Sequence, residues 1–165
     1  MNIYNAVPED LPEIEKIYET AREYMRNSGN PNQWGTTNPP VEFLINDINK
    51  EQLYVIRDNK YSPILGCFSC IEGKDPTYSY IEDGSWINDD PYVTLHRVAS
   101  AGIRKGILDF ILAKVSEKHP NIRIDTHEDN KTMQHILIKN GFSRRGIIYL
   151  ANGKPRLAFQ RINNI

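Results

Sequence analysis

The chain has 165 residues, 39% of them hydrophobic and 25% charged, a composition that supports a globular core in one domain. Its formal net charge of −1 offers no global attraction to nucleic acid or to an anionic membrane, so neither is expected as a partner. No apolar run is long enough to span a bilayer, and Met1-Asn2-Ile3-Tyr4-Asn5 lacks the charged start and apolar core of a secretory signal; a cytoplasmic location is expected. In chain order, residues 2–6 read as a short strand. Ile14, Ile17, Tyr18 and Ala21 fall at helical spacing and predict a helix over 9–25. Residues 27–40 form a polar loop rich in Asn, Gly and Pro that carries Trp34. Pro39 and Pro40 precede a second helix over 41–48. Residues 52–57 alternate as a strand and turn at Asp58-Asn59-Lys60.

Residues 63–72 read as the next strand and hold both cysteines, Cys67 and Cys70. A Cys-x-x-Cys pair can be redox-active or half a zinc site. On a strand, residues three apart point to opposite faces, and there is no second pair, so two structural cysteines are the better account. Residues 73–91 are a long connection with Tyr78, Tyr80, Trp86 and the acids Glu82, Asp83, Asp89 and Asp90. A strand over 92–99, a helix over 103–118 and a strand over 121–126 follow. Asn130 is a plausible cap for a helix over 131–140, with Met133, Ile136 and Leu137 inward and Gly141 as its stop. Strands over 142–150 and 155–162 flank Ala151-Asn152-Gly153-Lys154, a hairpin signal. The order predicts one α/β domain, with antiparallel hairpins beside a strand–helix–strand unit.

The junction at Gly102-Ile103-Arg104-Lys105-Gly106-Ile107-Leu108 is the most informative stretch. Ile103, Ile107, Ile111 and Val115 recur every four residues, as on one helix face. Arg104 and Lys105 then fall in a first helical turn, where cations oppose the macrodipole. An anion such as phosphate, held by backbone N–H groups and the two cations, would reconcile the arrangement. Solvated cations beside a turn-shaping glycine are the equal alternative. The stretch is neither a Walker loop nor a dinucleotide fingerprint.

In this order and with these residues, the chain resembles the GNAT superfamily of N-acyltransferases, the GCN5-related type. The resemblance covers nearly the whole chain and is most specific from Thr94 to Arg161. Laid on the family's first motif, Arg/Gln-x-x-Gly-x-Gly/Ala, the sequence gives Ile103-Arg104-Lys105-Gly106-Ile107-Leu108. Gly106 fits, whereas Ile103 and Leu108 depart from the pattern. The second motif fits better, with Asn130 near a helix start and Gly141-Phe142 after it. Leu137 stands where the family often carries a tyrosine that protonates the departing thiolate. The resemblance implies a GNAT fold over residues 1–165, a mixed, mostly antiparallel twisted sheet flanked by helices that splays near its middle. It also implies acetyl-CoA as cosubstrate. Residues 103–108 would hold the pyrophosphate, Asn130 would touch the cofactor arm, and N–H groups around Val98 and Ala99 would polarise the thioester.

His96 precedes the turn, where the arylalkylamine branch of the family carries a histidine near the acceptor. An imidazole ordinarily titrates near about 6.5 and suits deprotonation of an ammonium; a packed histidine is the alternative. Asp125, His127 and Asp129 alternate as a metal set could, but Asp129 is better explained by the helix that follows, and no metal is expected. Trp34, Trp86, Asp89 and Asp90 are the candidate acceptor residues, against a loop anchor for Trp34 and a solvated hairpin for the others. Arg144, Arg145, Arg156 and Arg161 form a basic cluster without a nucleic-acid motif.

The expected function is transfer of an acetyl group from acetyl-CoA to a primary amine, small molecule or peptide, by direct attack. The alternative is a non-catalytic acyl-CoA-binding or regulatory module of the same fold. The sequence leaves a homodimer open.

Overall fold

The computed structural model describes residues 1–163. Among them are seven strands and four α-helices. The chain divides into two compact units, Met1–Cys70 with His96–Leu108, and Ile71–Leu95 with Asp109–Ile165.

The first unit starts with β1 (Asn2–Asn5), β2 (Leu53–Arg57) and the first part of β3 (Gly66–Glu72). β1 runs antiparallel to β2, with Tyr4 opposite Val55, and β2 antiparallel to β3, with Val55 opposite Cys67. Two helices cover this meander, α1 (Leu11–Asn27) and α2 (Val41–Asn49). They fold as helices because their apolar residues recur at three and four: Ile14, Ile17 and Tyr18 on α1, and Leu44 and Ile48 on α2, all buried with Leu53 and Val55 in one cluster. Each such aliphatic side chain contributes about 1.5–3 kcal/mol by leaving water. Gly66 lets β3 lie close to its neighbours. A Cβ there would sit 2.6 Å from Ile107 Cγ2 and 2.9 Å from the Ala99 carbonyl.

β4 (Val93–Ser100) and α3 (Ile107–Lys118) pass between the units along the chain. In the second unit β4 pairs parallel with β5 (Asn121–Thr126) at Val93↔Ile122 and Thr94↔Arg123. β5 pairs along its whole length with β7 (Pro155–Ile162), which is antiparallel to β6 (Ser143–Tyr149). Between β5 and β6 lies α4 (Lys131–Lys139), where the Asn130 side chain accepts from the Met133 N–H at 3.0 Å.

Two expectations need correction. The helix after β4 begins at Ile107, not 103. Gly102 (φ 75°) and Gly106 (φ 79°) are left-handed, which a helix cannot absorb, so Ile103 leaves the apolar face and is 68% exposed. Nor is the connection between β3 and β4 a solvated hairpin. Buried Gln160 accepts from the Ile87 N–H at 2.7 Å, Asn121 Nδ2 donates to the Pro91 carbonyl at 3.2 Å, and Arg123 Nη2 donates to the Asn88 carbonyl at 2.8 Å. Side chains of β5 and β7 thus supply the partners that the connection's backbone needs.

Candidate functional site

In the first unit β4 does not run as a regular strand. Arg97 has φ 54°, a left-handed conformation that costs a non-glycine residue about 1–3 kcal/mol and persists only where its surroundings impose it. Two neighbours bond to it here. The Tyr18 hydroxyl donates to the Arg97 carbonyl at 2.6 Å. Arg97 Nη1 donates to Asp47 Oδ2 at 2.7 Å. Asp47 is 2% exposed, and its carboxylate also accepts from Ser69 Oγ at 2.6 Å and Gln52 Nε2 at 2.8 Å. The exposed Phe43 ring lies 5.5 Å from the Arg97 guanidinium.

Burial, with the nearby Cys67 thiol adding to it, pushes the Tyr18 phenol well above its ordinary range, so it keeps its proton and remains a donor. Burial also pushes Cys67 up to about 12, against the effect of its hydrogen bond with Tyr18. Cys67 is therefore a thiol and a poor nucleophile at neutral pH. It is buried on β3, Cys70 is half-buried, and both are free cysteines.

His96 is half-buried immediately before Arg97; Val98 is half-buried and Ala99 buried after it. The chain then leaves β4 through an exposed turn. Among the described residues, no acceptor takes the backbone N–H of Ile103, Arg104, Lys105 or Gly106. A Cβ added at Gly106 would meet nothing within 4 Å, so space in front of this backbone is open. The cations differ from expectation. Both precede α3 instead of lying in its first turn. Arg104 pairs with Asp58, Nη2 to Oδ2 at 2.7 Å, a bond that holds the Asp58 carboxyl below its ordinary range. Lys105 is exposed. Ile107 is buried against the unit and Leu108 half-buried. Trp34 meets Tyr18 edge-on at 5.5 Å. Its ring thus anchors the 28–40 loop to the core beside the hydroxyl that holds Arg97.

The second unit holds the other expected residues. Trp86 packs at 5.1 Å from Tyr78 and donates from Nε1 to the Tyr78 carbonyl at 2.9 Å. The Arg123 guanidinium lies 4.1 Å from the Trp86 ring and 3.9 Å from the Tyr92 ring. Trp86 is thus engaged in packing. Asp89 is exposed, and Asp90 accepts from Asn88 Nδ2 at 3.0 Å. Asp90 also lines a cavity of about 560 Å³ with Asn88, Tyr92, His119 and Asn121. Asn130 Oδ1 is taken by the α4 cap, and Leu137 is fully buried. Asp125 accepts from the Tyr78 hydroxyl at 2.7 Å, and His127 Nδ1 accepts from the Asp129 N–H at 3.0 Å. Among the described residues no group of three or more His, Cys, Asp or Glu is placed to hold a metal ion. No helix among them is long and apolar enough to cross a membrane.

Sequence reasoning missed Tyr18, Asp47 and Arg97 as site residues. Asp47 carried a signal. It lies three residues after Leu44 and just before Ile48, an acid on the apolar stripe of α2, and buried acids require partners.

No family model matches the chain, and no curated protein does. Solved structures do match. A GNAT-family acetyltransferase from Streptococcus agalactiae 2603 is 31% identical, with TM-score 0.89 over 99% of this chain and 96% of that one. A GNAT-family acetyltransferase from Listeria monocytogenes 4b F2365 shares the fold at 19% identity, with TM-score 0.70 over 98% and 94%. A structure of the NatB acetyltransferase complex bound to CoA and MES shares it at 12% identity, with TM-score 0.65 over 99% and 100%.

Proposed function

Because the chain belongs to the GNAT family of acetyltransferases, we propose that it moves an acetyl group from acetyl-CoA to a primary amine by direct attack. The family supports acyl transfer in general. The donor, the acceptor and the residue roles are this proposal's own, as is the treatment of residues 1–165 as one acetyltransferase domain in the cytoplasm. The observation that carries it is left-handed Arg97, followed by Val98, Ala99 and a turn whose N–H groups at 103–106 have no acceptor among the described residues. Such N–H groups fit a pyrophosphate, and the open space at Gly106 leaves room for one. CoA in the NatB structure is in keeping with this.

Bound acetyl-CoA supplies the thioester carbon that the amine attacks; as the C–N bond forms, the C–S bond breaks and CoA leaves as its thiolate, which takes a proton from solvent. The N–H groups of residues 103–108 hold the diphosphate, with Lys105 adding charge. Those at Val98 and Ala99 donate to the carbonyl as negative charge develops on it. His96 accepts the proton that the ammonium must lose, directly or through one water. Trp34 borders the acceptor. No metal takes part in this scheme.

A second reading, acyl-CoA binding without turnover, is favoured by one observation. Leu137 is apolar and fully buried, so it cannot protonate a leaving thiolate. Release of CoA thiol from acetyl-CoA, measured against polyamines, amino sugars, peptide N-termini and lysine, separates the two, with mass spectrometry of the products. Thiol release with an acetylated amine supports transfer. Acetyl-CoA binding without release from any amine selects the second reading.

A further inference from the structure

Resting on the proposed acetyl transfer, we infer that Tyr18 and Asp47 are positioning residues for the thioester site: they hold Arg97 left-handed so that the N–H groups after it face the acyl carbonyl. A left-handed arginine inside a strand is unfavourable by itself, so something must hold it. The Tyr18 hydroxyl fixes the carbonyl of Arg97 at 2.6 Å, and that carbonyl belongs to the same peptide unit as the Val98 N–H. Asp47 fixes the other end of the residue through Nη1 at 2.7 Å. The clamp is itself bonded and packed on its far side. Ser69 and Gln52 hold the Asp47 carboxylate, and the Tyr18 ring is 1% exposed in the core and braced by Trp34. The carbonyl side of this peptide is thus engaged with the core, and its N–H points the other way, as a trans peptide requires. Preorganised donors of this kind lose their effect when their aim is lost, even where the fold survives.

Tyr18→Phe tests the clamp, because it removes one oxygen and leaves the ring packing. Asp47→Asn, which keeps the shape of the side chain and removes its charge, is the second variant. The expected result for Tyr18→Phe is a kcat lower by about tenfold, the scale of one hydrogen bond, with KM for acetyl-CoA near the parental value. The backbone chemical shifts of Arg97 should move away from left-handed values. The isotope-edited infrared carbonyl band of bound [1-¹³C]acetyl-CoA, displaced in the parent, should return towards that of free acetyl-CoA. Asp47→Asn should move the same three readouts in the same direction. Parental Arg97 shifts and a parental carbonyl band in a folded Tyr18→Phe protein overturn the clamp and leave acetyl transfer standing. A parent protein that binds no acetyl-CoA overturns the transfer reading and the inference with it.

Discussion

Arg97 and Arg123 are both half-hidden or hidden strand arginines, and the two units hold them by different means. Arg97 is paired with a buried carboxylate, and its backbone is left-handed. Arg123, 4% exposed, stays in regular register and is sandwiched between the Trp86 and Tyr92 rings. Burial draws its pKa below the ordinary guanidinium value, and its Nε has no partner among the described residues. The Arg97 network fixes one peptide in an unfavourable conformation, a few residues before a turn whose N–H groups at 103–106 have no acceptor among the described residues. The Arg123 stack ties down a long connection and leaves Arg123 itself in regular register. In the proposed reading the Arg97 network serves a site and the Arg123 stack serves the fold, and substitutions should separate them.

The largest expected effect is at the first. His96→Ala should lower kcat/KM by about 10²–10⁴-fold, the range of general-base assistance, with little loss of melting temperature. Near-parental activity with a large drop in melting temperature would instead make His96 a packing residue. Arg123→Met should do the reverse. It should lower unfolding free energy by about 2–4 kcal/mol, from two stacked rings and one charged hydrogen bond, and leave acetyl-CoA affinity unchanged. Urea unfolding and calorimetry check the two halves of that statement.

Gly66→Ala acts from inside the first unit. The new methyl meets Ile107 Cγ2 and the Ala99 carbonyl, so about 1–3 kcal/mol of overpacking is expected. Because both neighbours flank the turn, acetyl-CoA affinity should fall with stability, unlike in Arg123→Met. The smallest effect is on pH dependence. Below the ordinary thiol value of 9.0, the Cys67 thiol is protonated in both folded and unfolded chains. Between 9.0 and about 12 only the unfolded thiol ionises, so stability falls as pH rises through that window. Tyr18 acts in the same direction above 10.0. Cys67→Ala should flatten this alkaline limb in urea midpoints measured against pH, even though the variant starts from lower stability.

What the sequence made legible was local. β5 and β7 begin and end where the sequence reading places them, and Asn130 caps α4 through its own side chain. Those signals lie within a few residues of the structures they specify. The start of α3 was misread because the four-residue apolar period continues back to Ile103, while two left-handed glycines set the boundary. The pairing of Arg104 with Asp58 spans 46 positions, and the Tyr18 bond to Arg97 spans 79. No local periodicity encodes either. The connection after β3 was misread for the same reason, since its polar partners come from β5 and β7.

The proposed transfer requires that the first unit's backbone donors receive acyl-CoA. Titration of the ¹⁵N-labelled protein with acetyl-CoA tests this amide by amide. The largest shifts are expected at Val98, Ala99, Ile103, Arg104, Lys105 and Gly106, with Trp86, Asp89 and Asp90 little changed. Shifts confined to Trp86, Asp89 and Asp90, or no shifts at millimolar acetyl-CoA, would contradict it.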